Sequence, residues 1–450
     1  MFKRNGTSKG SIVSLFSGCG GLDLGFHEAN FDPIYAVDND SAAIAVYRQN
    51  IATSAYVRDV TTSEFHSEIG ALGTVDVVLG GFPCQGFSKA GPKRPSDERN
   101  VLYREMRASI ERLRPRIFIA ENVDGLSQNF GGSYLKAIVE DFTTVGYRVE
   151  HRIVDAVAYG VPQHRRRVLF VGVRDDQPSF VWPLQTHTLP RRNGESKIDE
   201  STVSLWDISR ARSALAPART IRDAITDLPY LDGVADHSVT NKWPEKYSQI
   251  FEAIAPGQKL CNVRHAPSSI YTWQIPAVFG EITPNQRTIL ETIGRNRRHK
   301  KYGDIPNGNP LCLEDVVSLS GLDISLSDMN DLVRIGYLKQ VDERFDLKGA
   351  MFCSGLFKRP SWDEPSPTVL TNFHNPRYFL HPSEDRPFSL RECARLQGFP
   401  DTFQFTSAGI ALEDGYRLVG NAVPPPLSRV LATSVSDFLA QSNAEGRRAA

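Results

Sequence analysis

The sequence predicts an α/β protein in which one open sheet, built from the two ends of the chain, is interrupted by a smaller inserted domain. Three observations carry that prediction. Short apolar runs read as buried strands and alternate with amphipathic segments, Gly- and Pro-punctuated loops follow the runs, and this texture stops near residue 187 and resumes near 386.

Ser11-Ile12-Val13-Ser14-Leu15-Phe16 is the first strand, Ser17-Gly18-Cys19-Gly20-Gly21 a glycine turn, and Leu22 to Ala29 a helix. Glycines let a ligand approach the backbone and a helix N-terminus favours an anionic group, so this unit reads as a nucleotide-cofactor site on a Rossmann-like sheet. Ile34-Tyr35-Ala36-Val37-Asp38 is a second strand ending in an acid at the spacing of a ribose-binding carboxylate. Val75 to Leu79 is a third, running into Gly80-Gly81-Phe82-Pro83-Cys84-Gln85-Gly86-Phe87-Ser88. Pro83 stiffens the backbone before the thiol and Gly86 lets the chain turn away. Cys84 is then either a nucleophile at the carboxyl edge of the sheet or an inert cysteine buried in a turn. Lys89 to Asn100 shows no periodicity and reads as a mobile loop that closes over substrate.

Arg104 to Leu113 is an amphipathic helix leading into the strand Pro115 to Val123, which carries Glu121 at its end, and Ser133 to Val145 is a further helix. Gln163-His164-Arg165-Arg166-Arg167 precedes the strand Val168 to Val173. Arg165 and Arg167, two apart on extended chain, are expected on one side. Cys84, Glu121 and these arginines converge on one substrate if the strands share a sheet; phosphate binding alone is the other reading of the arginines.

Beyond Gln185 the chain is polar and punctuated, with a short helix over Thr220 to Pro229. Within the insert, residues 283–349 suggest a winged-helix module. Thr283-Pro284-Asn285-Gln286 has a cap, a first-turn proline and a capping-box glutamine, Leu313 to Gly321 is a second helix, and Ser325 caps a third. Tyr337 to Val341 and Arg344 to Lys348 are strands around an Asp342-Glu343 turn. Ser389 to Leu396 is a helix again, and Leu427, Val430, Leu431, Val435 and Phe438 recur at helical spacing, with Gln441 to Ala450 expected to fray.

Lys and Arg number 52 and Asp and Glu 52, so net charge gives no hint of a polyanionic partner. Local basic patches must supply any such contact: Lys89, Lys93 and Arg94, Arg165 to Arg167, or Arg295-Asn296-Arg297-Arg298-His299-Lys300-Lys301. The 6 cysteines form no C-x-x-C pair, which predicts no metal and a reduced, cytoplasmic chain. No apolar run reaches membrane-spanning length.

In order along the chain, Phe16-Ser17-Gly18-Cys19-Gly20-Gly21, Pro83-Cys84-Gln85, Glu121-Asn122-Val123, Gln163-His164-Arg165-Arg166-Arg167 and Gly420-Asn421-Ala422-Val423-Pro424-Pro425 resemble the motifs of the DNA (cytosine-5)-methyltransferases of bacterial restriction-modification systems. The likeness covers both ends of the chain and is weaker over about 187–355. It implies a methyltransferase sheet from residues 1–186 and 386–450 around a target-recognition domain, 187–385, supported by the segment Arg359 to Thr371.

The resemblance also implies S-adenosyl-L-methionine as cofactor and double-stranded DNA as substrate. Phe16, Gly18, Gly20 and Leu22 would line the methionine and ribose end, with Asp38 on the ribose, a shorter acid than the family's usual Glu. Asn39 and Asp59 would meet the adenine, and Pro83 and Asn421 would flank the cofactor. Cys84 would add to C6 of a flipped-out cytosine, Glu121 would hold a proton at N3, and Arg165 and Arg167 would complete the catalytic group. Gln85, Ser88, Lys89, Arg295, Arg297 and Arg298 are the expected DNA contacts. A cognate endonuclease acting on the same site and a monomeric state complete the picture. A tRNA cytosine methyltransferase of the same fold, a non-catalytic DNA-binding regulator and a nucleotide-dependent oxidoreductase are the alternatives. The last leaves Glu121, Gln163 to Arg167 and Asn421 without a role.

Overall fold

The structure, a computed structural model, describes residues 7–83, 102–128, 132–190, 215–228, 234–239, 243–263, 266–305, 308–348, 355–406 and 409–449. Seven strands make the main sheet: β1 (Ser11–Leu15), β2 (Asp32–Asp38), β3 (Ala55–Val57), β4 (Val77–Gly80), β5 (Ile117–Val123), β6 (Tyr147–Asp155) and β7 (Arg166–Arg174). Their order is β3-β2-β1-β4-β5-β7-β6. Only β7 is reversed, running antiparallel to β5 and to β6. The winding changes direction between β1 and β4, and at such a switch point the loops leaving the carboxyl ends of the two strands part to leave a crevice. The loops concerned are the glycine turn after β1 and the Pro83-Cys84 loop after β4.

Alternate residues of the central strands feed two cores. Val13, Leu15, Val78, Phe118 and Phe170 face the helices Ser63–Ala71, Leu102–Leu113 and Ser133–Thr143. Ile12, Val77, Leu79, Ile119 and Val171 face the helices Gly21–Glu28 and Pro425–Ala449. Burying each such side chain contributes about 1.5–3 kcal/mol, and coverage on both faces is why these strands read as unbroken apolar runs.

The C-terminal helix sits directly on the first helix. A Cβ on Gly21 would collide with the carbonyl of Val423, and one on Gly25 with the backbone of Ser428 and Arg429. The Ser428 hydroxyl donates to the Leu22 carbonyl. Instead of fraying from Gln441, this helix continues to Ala449. Ser442 is tied to Arg116 and Gln177, and Gln441 donates to Glu445 at 2.9 Å.

The chain divides into two units: Met1–Ser238 with Asp363–Thr371 and Leu390–Ala450, and Val239–Trp362 with Asn372–Ser389. The main-sheet unit thus runs past residue 187 and takes in the helix Ile221–Ile225, closed by a Thr220/Asp223 capping box. Buried Ile221, Ala224 and Ile225 hold this extension together with ion pairs. Arg391 forks onto the buried Asp236, and Arg395 donates to Asp227 at 2.6 Å.

In the second unit β8 (Gln258–Leu260), β9 (Ser269–Ile270) and β13 (Leu356–Arg359) form one small sheet, with β10 (Leu311–Cys312), β11 (Leu338–Val341) and β12 (Arg344–Leu347) as another. The buried Arg359 guanidinium donates to the carbonyls of Phe251, Ile254, His381 and Glu384 and to Asp385. The helices Pro284–Asn296, Leu313–Ser320 and Leu326–Ile335 interleave with β10, β12 and β11 in the element order of a winged helix. Thr283 and Gln286 form a reciprocal capping box (3.2 and 3.0 Å), as do Ser325 and Asp328 (3.3 and 2.9 Å). Ile289, Leu290, Ile293, Val316, Met329, Leu332 and Phe345 fill the core of this module.

Candidate active site

Gly80 of β4 pairs with Ala120 of β5, so Gly81 and Glu121 emerge side by side at the carboxyl edge of the sheet. A Cβ on Gly81 would lie 3.4 Å from Glu121 Oε2. Asn122, buried, donates from Nδ2 to the Phe82 carbonyl at 3.0 Å and so fixes the backbone of the loop that continues through the half-buried Pro83 into Cys84. Cys84 itself, Gln85, Ser88, Lys89 and the segment 89–100 lie outside the described residues. From β7, Arg167 Nε reaches Glu121 Oε1 at 2.6 Å, both side chains being 12% exposed. An arginine and a carboxylate this sheltered hold each other in a fixed orientation.

Arg165 does something else. Expected in the catalytic group, it is 1% exposed, donating from Nη1 to the Val369 carbonyl at 3.1 Å and from Nη2 to the Gly420 carbonyl at 2.9 Å. Its guanidinium satisfies carbonyls that would otherwise be orphaned in the interior, and burial pulls its pKa down. In that position it ties the segment Asp363–Thr371 to the end of the helix Leu412–Asn421. Around it, Gln163 accepts from Val369 N at 2.9 Å and donates to the Leu396 carbonyl and to Gln397, which in turn donates to Ala422 O at 2.6 Å and Val419 O at 3.1 Å. A Cβ on Gly420 would lie 2.5 Å from Thr371 N, so the segment Asp363–Thr371 needs glycine there to pass. Gln397 escaped the sequence reading, since an amide at a helix end carries no motif. Asn421 is exposed and ends the helix Leu412–Asn421.

The glycine turn is the second part of the site. Phe16 (φ 54°), Gly18 (φ 53°) and Gly20 (φ 88°) all adopt the left-handed region, which costs a phenylalanine on the order of 1 kcal/mol. The space beside Gly18 is open, with nothing within 4 Å of a Cβ built there. Asp38 closes the turn, accepting from Gly18 N at 2.9 Å and from Asp40 N at 3.0 Å, and burial raises its pKa. Asn39 is exposed beside it, and Leu22 is buried in the core below. The exposed Asp59 accepts from the Thr61 backbone and hydroxyl at 2.9 and 2.8 Å, bonds that lower its pKa. An open, strained turn backed by an acid at a strand end fits a nucleoside cofactor presenting hydroxyls.

Two ionisable groups beside the turn, Cys19 and Asp23, are buried. Burial pushes the Cys19 thiol up to about 12, so it is no nucleophile. Asp23 accepts from the Tyr47 hydroxyl at 3.0 Å, and burial pushes its carboxyl up to about 6 from 3.8. The folded chain therefore holds this proton more tightly than the unfolded chain, and stability falls as pH rises from about 4 to about 6. Asp23→Asn, which keeps an acceptor for Tyr47, is expected to stabilise the protein at pH 7 by on the order of 2 kcal/mol and to change little at pH 4. Urea denaturation at the two pH values checks this; a variant less stable at pH 7 refutes it.

Of the basic residues expected on DNA, Arg295 and Arg298 are exposed. Arg297 is not. It is 4% exposed and forks onto the buried Asp346 through two 2.8 Å bonds, so it ties the helix Pro284–Asn296 to β12 and is turned away from solvent.

A family model described as C-5 cytosine-specific DNA methylase matches residues 10–437. Type II methyltransferase M.AgeI of Thalassovita gelatinovora is 32% identical over 442 residues, covering 94% of this chain and 98% of its own. Type II methyltransferase M.HgiCII of Herpetosiphon aurantiacus is 29% identical over 461 residues, covering 94% and 96%. Among solved structures, a prophage-encoded E. coli protein assigned as a DNA modification methyltransferase shares the fold, with a TM-score of 0.51 at 21% identity over 96% of this chain and 99% of its own.

Proposed function

The chain belongs to the C-5 cytosine-specific DNA methylase family, and on that premise we propose that it methylates a flipped-out cytosine in one specific duplex sequence through a covalent Cys84 adduct. It is a DNA (cytosine-5)-methyltransferase and uses S-adenosyl-L-methionine. That cofactor supplies an electrophilic methyl group. Phe16, Gly18, Gly20 and Leu22 would line its site, Asp38 would accept from the ribose hydroxyls, Asn39 and Asp59 would meet the adenine, and Pro83 and Asn421 would flank it.

Carbon 5 of cytosine is a poor nucleophile until C6 is attacked. The Cys84 thiolate adds to C6, the C5–C6 π electrons move to C5, and Glu121 holds a proton at N3 so that no full negative charge builds on the ring. Carbon 5 is then nucleophilic enough to accept the methyl group a bound sulfonium cofactor would supply, whose S–CH3 bond would break to leave a neutral thioether. A base removes the C5 proton, the double bond re-forms, and the thiolate leaves. Attack on C6 comes perpendicular to the base plane, which requires the cytosine out of the stack. The observation that carries this reading is the sheltered Glu121 carboxylate, fixed by Arg167 at 2.6 Å beside the neck of the Cys84 loop. We extend to this chain the type II designation of its relatives, with a cognate endonuclease for the same sequence, and a cytoplasmic monomer as the working form.

Sequencing plasmid DNA from an expressing host for 5-methylcytosine tests the whole reading. Modification at one short sequence is expected; none, or modification without a common sequence, rules out the specific enzyme. For the cofactor, Asp38→Ala is expected to weaken S-adenosylhomocysteine binding by about 2–3 kcal/mol in calorimetry, the value of charge-assisted hydrogen bonds. Unchanged affinity would reduce Asp38 to a tie between Gly18 and Asp40.

A further inference from the structure

The winged-helix module carries its positive charge in an unusual place. A winged helix that reads a groove does so with its third helix, here Leu326–Ile335. That helix offers Asp328, which is occupied as the partner in the Ser325 capping box, and Asp331, which pairs with Arg334 at 3.0 Å. No cation stands in its first two turns.

The cations lie instead at the end of the module's first helix and the turn beyond. Arg295, Arg298, Lys300 and Lys301 are all exposed, while Arg297 between them points inward onto Asp346. That buried pair clamps the run to the sheet. The same Asp346 also receives Lys339 of β11, with Nζ at 3.4 Å and the lysine side chain 51% exposed, so a fifth cation joins the strip from another element. Of the carboxylates, Glu291 reaches Arg295 at 3.5 Å but is shared with Arg287 at 3.0 Å, and Asp304 follows the run. Cations gathered this closely repel one another in water and are relieved by a polyanion. Asn296, the amide within the run, is turned to the Thr292 carbonyl at 2.9 Å, so what the strip presents is charge without base-reading amides.

We propose that this module grips the phosphate backbone of duplex DNA through Arg295, Arg298, Lys300, Lys301 and Lys339, independently of sequence, and not through its third helix. The inference rests on the reading that duplex DNA is the substrate. It is tested on the full-length protein by fluorescence polarisation with two duplexes, one containing the methylated sequence and one scrambled, over about 50–200 mM salt. For R295A/R298A/K300A/K301A both duplexes are expected to bind about tenfold or more weakly, by the same factor. The slope of log affinity against log salt should fall by about 3 to 4, near 0.9 for each phosphate no longer neutralised. Ser327→Ala with Asn330→Ala, exposed positions on the third helix, leave both quantities at wild-type values. Should the quadruple variant melt without cooperativity, Lys300→Glu with Lys301→Glu, both on an exposed turn, is expected to weaken both duplexes alike and further than Lys300→Ala with Lys301→Ala. An unchanged affinity and slope, or a loss confined to the methylated sequence, overturns the proposal. If the wild type binds neither duplex, the DNA reading falls with it; if the wild type binds and methylates while the variants match it, only this inference falls.

Discussion

Cys84→Ser abolishes methyl transfer, on the order of a thousandfold or more, while cofactor and DNA binding stay close to wild type. A thiolate forms readily near neutral pH and leaves as well as it attacks, whereas a serine hydroxyl must give up a far less acidic proton to do the same work. DNA carrying 5-fluorocytosine at the target makes the difference visible. Fluorine replaces the proton that must leave from C5, so the wild type in the presence of methyl donor is trapped as an adduct stable on a denaturing gel, and the serine variant forms none. Cys19 cannot stand in, being buried with its thiol pushed up to about 12. Turnover in the serine variant at anything near the wild-type rate would sink the nucleophile assignment.

The second large effect is on stability. Arg165→Ala strips donors from the carbonyls of Val369 and Gly420, 3.1 and 2.9 Å from the guanidinium it removes, and leaves an arginine-sized void in a fully packed region. The expected loss is about 3 kcal/mol or more, or roughly 5 °C in the melting temperature of a unit this size. Arg165→Lys recovers part of it, because an ammonium reaches one carbonyl where the fork reaches two. Differential scanning fluorimetry separates this from a role in chemistry. A variant that melts with the wild type yet fails to turn over would return Arg165 to the catalytic group.

The strands β1, β2, β4, β5 and β7 were visible because burial on both faces leaves runs such as Val168 to Val173 with no polar interruption. β6 was not, because Arg148, Glu150 and His151 break its pattern on a strand that lies at the edge of the sheet. The reversal of β7 was equally hidden, since strand direction depends on partners far away in the chain. Thr283 and Ser325 announced their helices through local capping chemistry, which a sequence records completely. Arg165, Arg167 and Arg297 look alike on paper. One binds carbonyls, one binds Glu121, and one binds Asp346, and only long-range packing decides which. The family resemblance that located Glu121 could not assign Arg297, which lies where that resemblance is weakest.

The seat of the C-terminal helix on the first helix has a consequence for how the protein comes into being. Leu22 and Ser428, which meet there, are 406 residues apart. At about 5–20 residues per second on a ribosome, roughly 20–80 s separate the synthesis of the two. Throughout that interval Leu22 and Phe26 lack the apolar partners Leu427 and Leu431, and the backbone of Gly21 and Gly25 stands open to water. The helix that follows the glycine turn therefore cannot settle until Leu427 and Leu431 have been made, and until then the nascent chain carries a sticky, uncovered sheet face. Holdase chaperones have their longest opportunity on this face, and an interrupted synthesis leaves a fragment with the glycine turn in its sequence but no completed fold around it.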